Sequence, residues 1–168
     1  MFILLSDQDG DWSMADSMSR RRTYETYLQG VRDLLPESVY EYATAPWHYD
    51  IHDHRCPHDA WVEEVLLREL SRGVEHERRE LKMHVRLLGA YHDGHIEFDY
   101  ANVRRYQFDV DVATDKPPTE SGHGNWVVDE VRVSESGLVL HEVEFSSNSR
   151  WLIECREFSY AWKPLSSS

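Results

Sequence analysis

The sequence predicts an α+β fold, with an N-terminal amphipathic helix packed on a mainly antiparallel meander sheet or incomplete barrel. Three observations support this class. Apolar residues follow a helical spacing over residues 19–35, they alternate with polar residues in several later runs, and short turn signals separate those runs. The length of 168 residues suits one domain, since domains cluster at about 100–150 residues. We therefore expect a single domain over residues 19–165, preceded by a poorly ordered segment, residues 1–18.

The helix is predicted from one apolar face and a stop signal. Its face is formed at helical spacing by Tyr24, Tyr27, Leu28, Val31, Leu34 and Leu35. Pro36 ends the helix, because the residue before a proline is biased away from helical dihedrals. After Pro36 the period changes to two, and residues 39–42 indicate a short strand.

The first long strand is predicted over residues 61–70. Its apolar residues suit a helix as well, but the hairpin character of the flanking sequence favours a strand with a bulge near Glu63 and Glu64. Trp61 opens this run, and we expect it to be at least partly buried.

A hairpin is predicted next. Residues 81–87 and 96–100 alternate between apolar and polar, and Asp93-Gly94 lies between them as a strong turn signal. Further runs at 106–112, 126–133, 138–145 and 151–162 complete an antiparallel meander, with a Pro/Gly-rich loop at 114–125.

Composition excludes several function classes. The formal net charge of −13 repels phosphate backbones and anionic lipid, so we expect neither nucleic acid nor membrane as a partner. The longest apolar run near the start, residues 2–5, is too short for a signal peptide or a membrane span. Cys56 and Cys155 form no C-x-x-C motif, and free thiols in a cytoplasmic protein are the expected state.

The loop at residues 46–58 contains the densest group of metal-ligating side chains. Zn²⁺ takes four tetrahedral ligands from Cys, His or carboxylate, and the sequence offers the set His52, His54, Cys56 and His58. Their spacing matches no paired zinc motif, and an extended chain would spread them too far apart unless it turns at Pro57. The alternative is a His-rich surface loop packed by aromatic side chains, with no metal and no cofactor.

Other candidate sites depend on strand adjacency. His84 and His141, together with Glu130 or Glu142, would form a two-His-one-carboxylate site if adjacent strands bring them together. The G-H-G-N sequence at residues 122–125 lacks the lysine of a phosphate loop, and the chain contains no G-x-S-x-G nucleophile motif. No catalytic residue is nominated.

The order of motifs resembles a family of small, uncharacterised bacterial proteins. The motifs are P-W-H-Y-D (46–50), H-D-A-W-V-E (58–63), L-L-G-A-Y-H-D-G (87–94), G-H-G-N-W-V-V-D-E-V (122–131), H-E-V (141–143) and F-S-Y-A-W (158–162). The resemblance covers about residues 20–163 and implies a bacterial, intracellular, single-domain protein. It brings no assigned reaction and no catalytic residues.

Two functions of different classes remain open from the sequence. The first is a non-enzymatic acidic interaction module that masks a basic protein partner, as the immunity protein of a toxin nuclease does, because the negative charge would steer such a partner. The second is an enzyme that binds a metal or small ligand in the His-rich loop or in a pocket of the sheet or barrel. The first is preferred, and the sequence leaves self-association open.

Overall fold

The computed structural model describes residues 3–4, 14–110 and 122–166, with side chains of the first helix described from residue 18. It confirms the α+β class. The helical elements are α1 (Met14–Gly30), a 3₁₀ turn (Arg32–Leu34) and α2 (Glu37–Thr44). The strands are β1 (Trp61–Arg72), β2 (Arg78–Leu88), β3 (Gly94–Ala101), β4 (Arg105–Asp109), β5 (Trp126–Val133), β6 (Val139–Phe145), β7 (Arg150–Cys155) and β8 (Glu157–Pro164).

The strands form two four-stranded antiparallel sheets whose apolar faces pack together. The first sheet has the order β1-β2-β3-β8, and the second has the order β4-β7-β6-β5. The chain changes sheet twice, between β3 and β4 and again at Arg156 between β7 and β8. Phe98 of the first sheet stacks on Trp126 of the second, with ring centroids 5.6 Å apart. The core therefore lies between the sheets, as in a sandwich.

Helix α1 lies along the edge strand β5. The Tyr24 hydroxyl donates to the carbonyl of Val131 and accepts from its N–H, and the Tyr27 hydroxyl accepts from the N–H of Val133. Backbone groups at a sheet edge need partners when they are buried. The tyrosines of the predicted apolar face thus supply polar partners to the sheet as well as packing area.

The structure corrects the region around Pro36. Helix α1 ends at Gly30 rather than Leu35, and residues 37–44 form an α-helix where the alternation indicated a strand. The carbonyl of Pro36 accepts bonds from the N–H groups of Val39 and Tyr40, so the proline begins α2. The buried side chains of α2 are Val39, Tyr42 and Ala43, whose spacing of three and four is helical.

The strands predicted from residue 61 onward are confirmed with two changes. A register shift lies between Val62 and Glu64, and β2 pairs with β3 as predicted. The turn between them is longer than a two-residue turn, because the N–H of Gly89 donates to the carbonyl of Gly94 and His92 adopts a φ of 56°. The predicted run at 151–162 is two strands, β7 and β8, in different sheets.

Parts of three predictions lie outside the described residues. These are residues 1–2 and 5–13 of the predicted N-terminal segment, residues 111–112 of the predicted run at 106–112, and residues 114–121 of the Pro/Gly-rich loop. Helix α1 begins at Met14, which is inside the segment expected to be poorly ordered. Among the described residues, no helix has the length and apolar character needed to cross a membrane.

Candidate functional site

A buried carboxylate, Asp129, faces the interior between the two sheets from the edge strand β5. A register shift between Trp126 and Val128 lets both Trp126 and Asp129 face the core from β5. The Asp129 side chain is almost completely buried, and four side chains donate hydrogen bonds to it. These donors are Tyr42 of α2, His48 of the loop after α2, Trp126 of β5 and His141 of β6.

The four hydrogen bonds have ordinary lengths. Nε2 of His48 lies 3.0 Å from Oδ1 of Asp129, and Nε2 of His141 lies 2.9 Å from Oδ2. The Tyr42 hydroxyl is 3.0 Å from Oδ2, and Nε1 of Trp126 is 3.0 Å from Oδ1. A carboxylate with four donors has its accepting capacity used, which offsets the cost of burying it.

Electrostatics keep Asp129 ionised. Burial acts to raise the pKa of this carboxyl, but the His48 and His141 imidazoles and their hydrogen bonds lower it further, so the pKa lies well below its ordinary range. Burial raises the pKa of the Tyr42 and Tyr100 phenols well above the ordinary value. Both phenols are therefore neutral donors in the core.

The histidines extend the cluster in two directions. An imidazole protonated on Nε2 donates to the carboxylate and accepts at Nδ1, and Nδ1 of His141 lies 2.8 Å from the Tyr100 hydroxyl on β3. The Nδ1 atom of His48 is buried and has no hydrogen-bond partner among the described residues. We call His48, Asp129 and His141 the buried cluster.

The buried cluster anchors the His-rich loop to the second sheet. His48 is the first anchor, and the Tyr49 hydroxyl donates to the Asp129 carbonyl at 3.0 Å. The Cys56 thiol donates to the His48 carbonyl at 3.0 Å and closes the loop on itself. Successive turns join residues 45 to 48, 47 to 50, 50 to 53, 53 to 56 and 57 to 60. The loop is therefore a chain of turns with a fixed buried side.

The four residues of the predicted zinc site have different partners. The Cys56 thiol is buried, and burial raises its pKa to about 11. Nδ1 of His54 bonds to Asp93, Nδ1 of His58 lies 3.1 Å from Asp59, and His52 is exposed. Within residues 3–4, 14–110 and 122–166, no three His, Cys, Asp or Glu side chains are arranged to hold a metal ion. Zinc binding stays a prediction.

The site that His84 and His141 would form on adjacent strands, with Glu130 or Glu142, does not occur. His84 lies on the outer face of the first sheet and bonds to Asp99, whereas His141 faces the core. Glu130 and Glu142 both bond to Arg132, away from the two histidines. The two-His-one-carboxylate group that forms instead is the buried cluster, in which hydrogen bonds join both imidazoles directly to Asp129.

Sequence reasoning missed Asp129, although signals for it were present. It follows three apolar residues in W-V-V-D-E-V. A charged residue in an otherwise apolar, buried strand needs hydrogen-bond or ion-pair partners. His48 and His141 lie in two other motifs of the quoted order. The bulge after Trp126 places Trp126 and Asp129 on the same face of β5. The sequence does not indicate this, because strict alternation places residues three apart on opposite faces.

An exposed group of apolar and aromatic side chains lies where the His-rich loop meets the β2–β3 turn. We call Ile51, His54, Trp61, Tyr91 and His92 the loop-end patch. Tyr91 stacks on His54 with ring centroids 4.1 Å apart, and its hydroxyl donates to the Ile51 carbonyl. Trp61 packs edge-on against His92 at 4.7 Å. The exposed fractions are 55% for Ile51 and 47% for both Trp61 and Tyr91.

A small cavity connects this surface region to the buried cluster. Its volume is about 60 Å³, and its lining includes His48, Asp129, Cys56, Ile51 and His58. Pockets for drug-sized ligands and cofactors are roughly 300–1,000 Å³, so this cavity is too small for a substrate of that size. Comparison of the chain with protein-family models, curated proteins and solved structures finds no match.

Proposed function

We propose that this protein is a non-enzymatic interaction module that binds and masks a basic protein through the loop-end patch. The observation that carries the proposal is the exposure of Trp61, Tyr91 and Ile51 on one small surface held by the buried cluster. Tryptophan and tyrosine are enriched among the residues that dominate binding energy at protein interfaces. Large side chains left half exposed on an anchored loop are available to a partner.

Charge supports a basic partner. Asp50, Asp59 and Asp93 are exposed and lie within two residues of patch members along the chain. The net charge of −13 adds a long-range field of the same sign. A surface with an apolar centre and an acidic rim suits lysine and arginine residues that flank an apolar anchor. The partner class is therefore a protein segment in which basic residues surround one or two apolar side chains.

Selection from a random peptide library displayed on phage tests the proposal. The wild-type protein is the bait, and the variant Trp61→Ser with Tyr91→Ser is used for counter-selection. Enriched peptides should combine lysine or arginine with an apolar residue. Their affinity, measured by calorimetry, should fall at least about 10-fold for the double variant, since a lost hot-spot residue costs about 2 kcal/mol or more.

The matched control is Tyr106→Ser on β4, where a tyrosine of similar exposure lies on the other sheet. This variant should bind the selected peptides as the wild type does. Failure to enrich any peptide, enrichment of acidic peptides, or equal affinity for the patch variant would contradict the proposal.

An enzyme that binds a metal or small ligand is the second candidate, and one observation favours it. Asp129 orients the His48 ring through Nε2, Nδ1 of the same ring has no hydrogen-bond partner among the described residues, and His48 lines the small cavity. A carboxylate that orients an imidazole in this way is the arrangement of a general base. The cavity volume of about 60 Å³ restricts such a ligand to a very small molecule, which favours the interaction module.

A further inference from the structure

Two of the sheet edges are covered by side chains or helices. Tyr24 and Tyr27 of α1 bond to the backbone of β5, and Ser38 of α2 donates to the Phe158 carbonyl of β8. Strand β1 differs from both. Within the part of the chain that the structure describes, its outer edge carries only a single bridge, between Trp61 and Asn125.

Strand β1 is also long and regular. It has 12 residues, contains neither proline nor glycine, and is regular from Glu64 to its end. Long unpaired edges template pairing with another strand, and proteins usually shorten, cover or interrupt them. The charged side chains of β1 therefore determine which strand can pair with this edge.

We infer that β1 pairs antiparallel with β1 of a second copy of this chain, with Leu66 opposite Leu66. This two-fold register places Glu64 opposite Arg68 of the second copy, and the same pair occurs twice. It also places Val65 opposite Leu67 on the other face. Opposite charges and apolar pairs directly across two strands stabilise their pairing. The result is one eight-stranded sheet that spans both copies.

Glu64 and Arg68 are both available for this pairing. Both side chains are exposed, and neither forms an ion pair with any residue that the structure describes. The side chains of Glu64, Leu66 and Arg68 line an open groove of about 640 Å³ on the outer face of the first sheet. A second copy in the inferred register would cover this side of the groove.

One kind of like-charge pair arises in this register, between Glu63 and Glu69 of the second copy, and by symmetry it occurs twice. Both carboxylates already have cationic neighbours within the chain. Glu63 lies 3.2 Å from Arg86 and 3.2 Å from His95, and Glu69 lies 4.0 Å from Arg79. Glu63 is also at the bulge of β1, where it has no partner in the β2 register. Because an arginine of the same chain partly neutralises each of these carboxylates, the two Glu63–Glu69 contacts repel less than the two Glu64–Arg68 contacts attract.

Sedimentation equilibrium from low to high micromolar concentration tests the association. The wild type should shift from the 19.8 kDa chain mass towards twice that mass. Glu64→Arg and Arg68→Glu each place like charges opposite each other twice, so each should weaken dimerisation about 10-fold or more. The combined swap restores opposite charges and should return the affinity to within about 3-fold of wild type.

Arg104→Glu, an exposed change on the β3–β4 connection, is the charge-matched control and should leave dimerisation unchanged. The folded state of every variant is checked by circular dichroism and thermal melting. A wild type that stays monomeric, single variants that dimerise normally, or a double swap that fails to recover would overturn the inference.

A cross-linking variant tests the register independently of charge. Leu66→Cys places two thiols opposite each other, within the Cα separation of about 4.5–5.5 Å of antiparallel partners, which disulfides can bridge. Mild oxidation with diamide should give a disulfide-linked dimer. Leu70→Cys, which faces Val62 in the inferred register, should not cross-link. Equal cross-linking of the two variants, or none of Leu66→Cys, would overturn the register.

Discussion

Nε2 of His48 lies 3.0 Å from Oδ1 of Asp129, although 81 residues separate the two in the chain. This hydrogen bond joins the loop after α2 to β5, an edge strand of the second sheet. His141 binds the other carboxylate oxygen, so the two imidazoles donate hydrogen bonds to both oxygens of one buried carboxylate. The His48–Asp129 hydrogen bond therefore links the core to the loop that carries part of the loop-end patch, on which the proposed function depends.

Asp129→Asn should lower the free energy of unfolding by about 3–5 kcal/mol at neutral pH, because an amide donor then faces side chains that also donate. Urea titration measures this change. Asp99→Asn is the control, since it alters a histidine–aspartate pair with an exposed carboxylate and should cost at most about 1 kcal/mol. Equal costs for the two variants would show that the buried cluster contributes little.

The difference in free energy of unfolding between the wild type and Asp129→Asn should depend on pH. The folded-state pKa of Asp129 is lowered below its unfolded value of about 3.9, so its stabilisation is complete above that pH and is lost as pH falls towards the folded pKa. Between neutral pH and about pH 3, the stability gap between wild type and Asp129→Asn should narrow by roughly 1 kcal/mol. A gap that widens on acidification would contradict the direction of the pKa shift.

Trp126→Ala should destabilise the fold by about 3–5 kcal/mol, because Trp126 is buried and its indole N–H binds Asp129. Trp61→Ala should cost less than about 1 kcal/mol, since nearly half of that side chain is exposed. Thermal melting compares the two. The sequence predicts a Trp61 that is at least partly buried, and a larger cost at Trp61 than at Trp126 would contradict the smaller contribution expected from its exposure.

Gly94→Ala should destabilise the fold by about 1–3 kcal/mol, because a Cβ at this position would overlap the Trp162 indole. Gly30→Ala is the control, since a Cβ there has open space around it at the end of α1. The control should be neutral or slightly stabilising. Equal melting temperatures for Gly94→Ala and the wild type would show that the hairpin end tolerates a side chain.

Zinc titration tests the predicted metal site. We expect weak binding that His54→Ala combined with Cys56→Ala leaves unchanged, because the Cys56 thiol is buried with a raised pKa and His54 bonds to Asp93. The measurement is calorimetry on protein without a His tag. A tight, saturable site that weakens at low pH and disappears in the double variant would instead establish zinc binding at His52, His54, Cys56 and His58.

The local parts of the fold could be predicted from the sequence. The β2–β3 pairing and the bulge after Val62 follow from alternation and turn signals within a few residues. Helix α2 was missed because the run at residues 39–42 is too short to establish a period. The burial of Val39, Tyr42 and Ala43, at spacings of three and four, distinguishes the helix from a strand. The division into two sheets depends on two short connections, residues 102–104 and Arg156, and the single residue Arg156 gives no distinct sequence signal.

The buried cluster could not be predicted, because its members come from separate elements. His48, Asp129 and His141 lie on a loop and two strands, and their contact requires the bulge at Trp126 and the packing of α2. The His-rich loop was recognised by composition, but composition does not show that Cys56 is buried while His54 faces Asp93. Tertiary packing decided which of these side chains meet.

Hydrogen exchange in the loop tests the central claim, that the buried cluster holds the His-rich loop in place for binding. The reporters are the hydrogen-bonded amides of His48, Asp50, Asp53 and Cys56. In Asp129→Asn, their protection should fall at least about 10-fold more than that of Val85 and Phe98 in the first sheet. If loop and sheet amides lose protection equally, or the loop amides keep theirs, the cluster does not hold the loop and the account is contradicted.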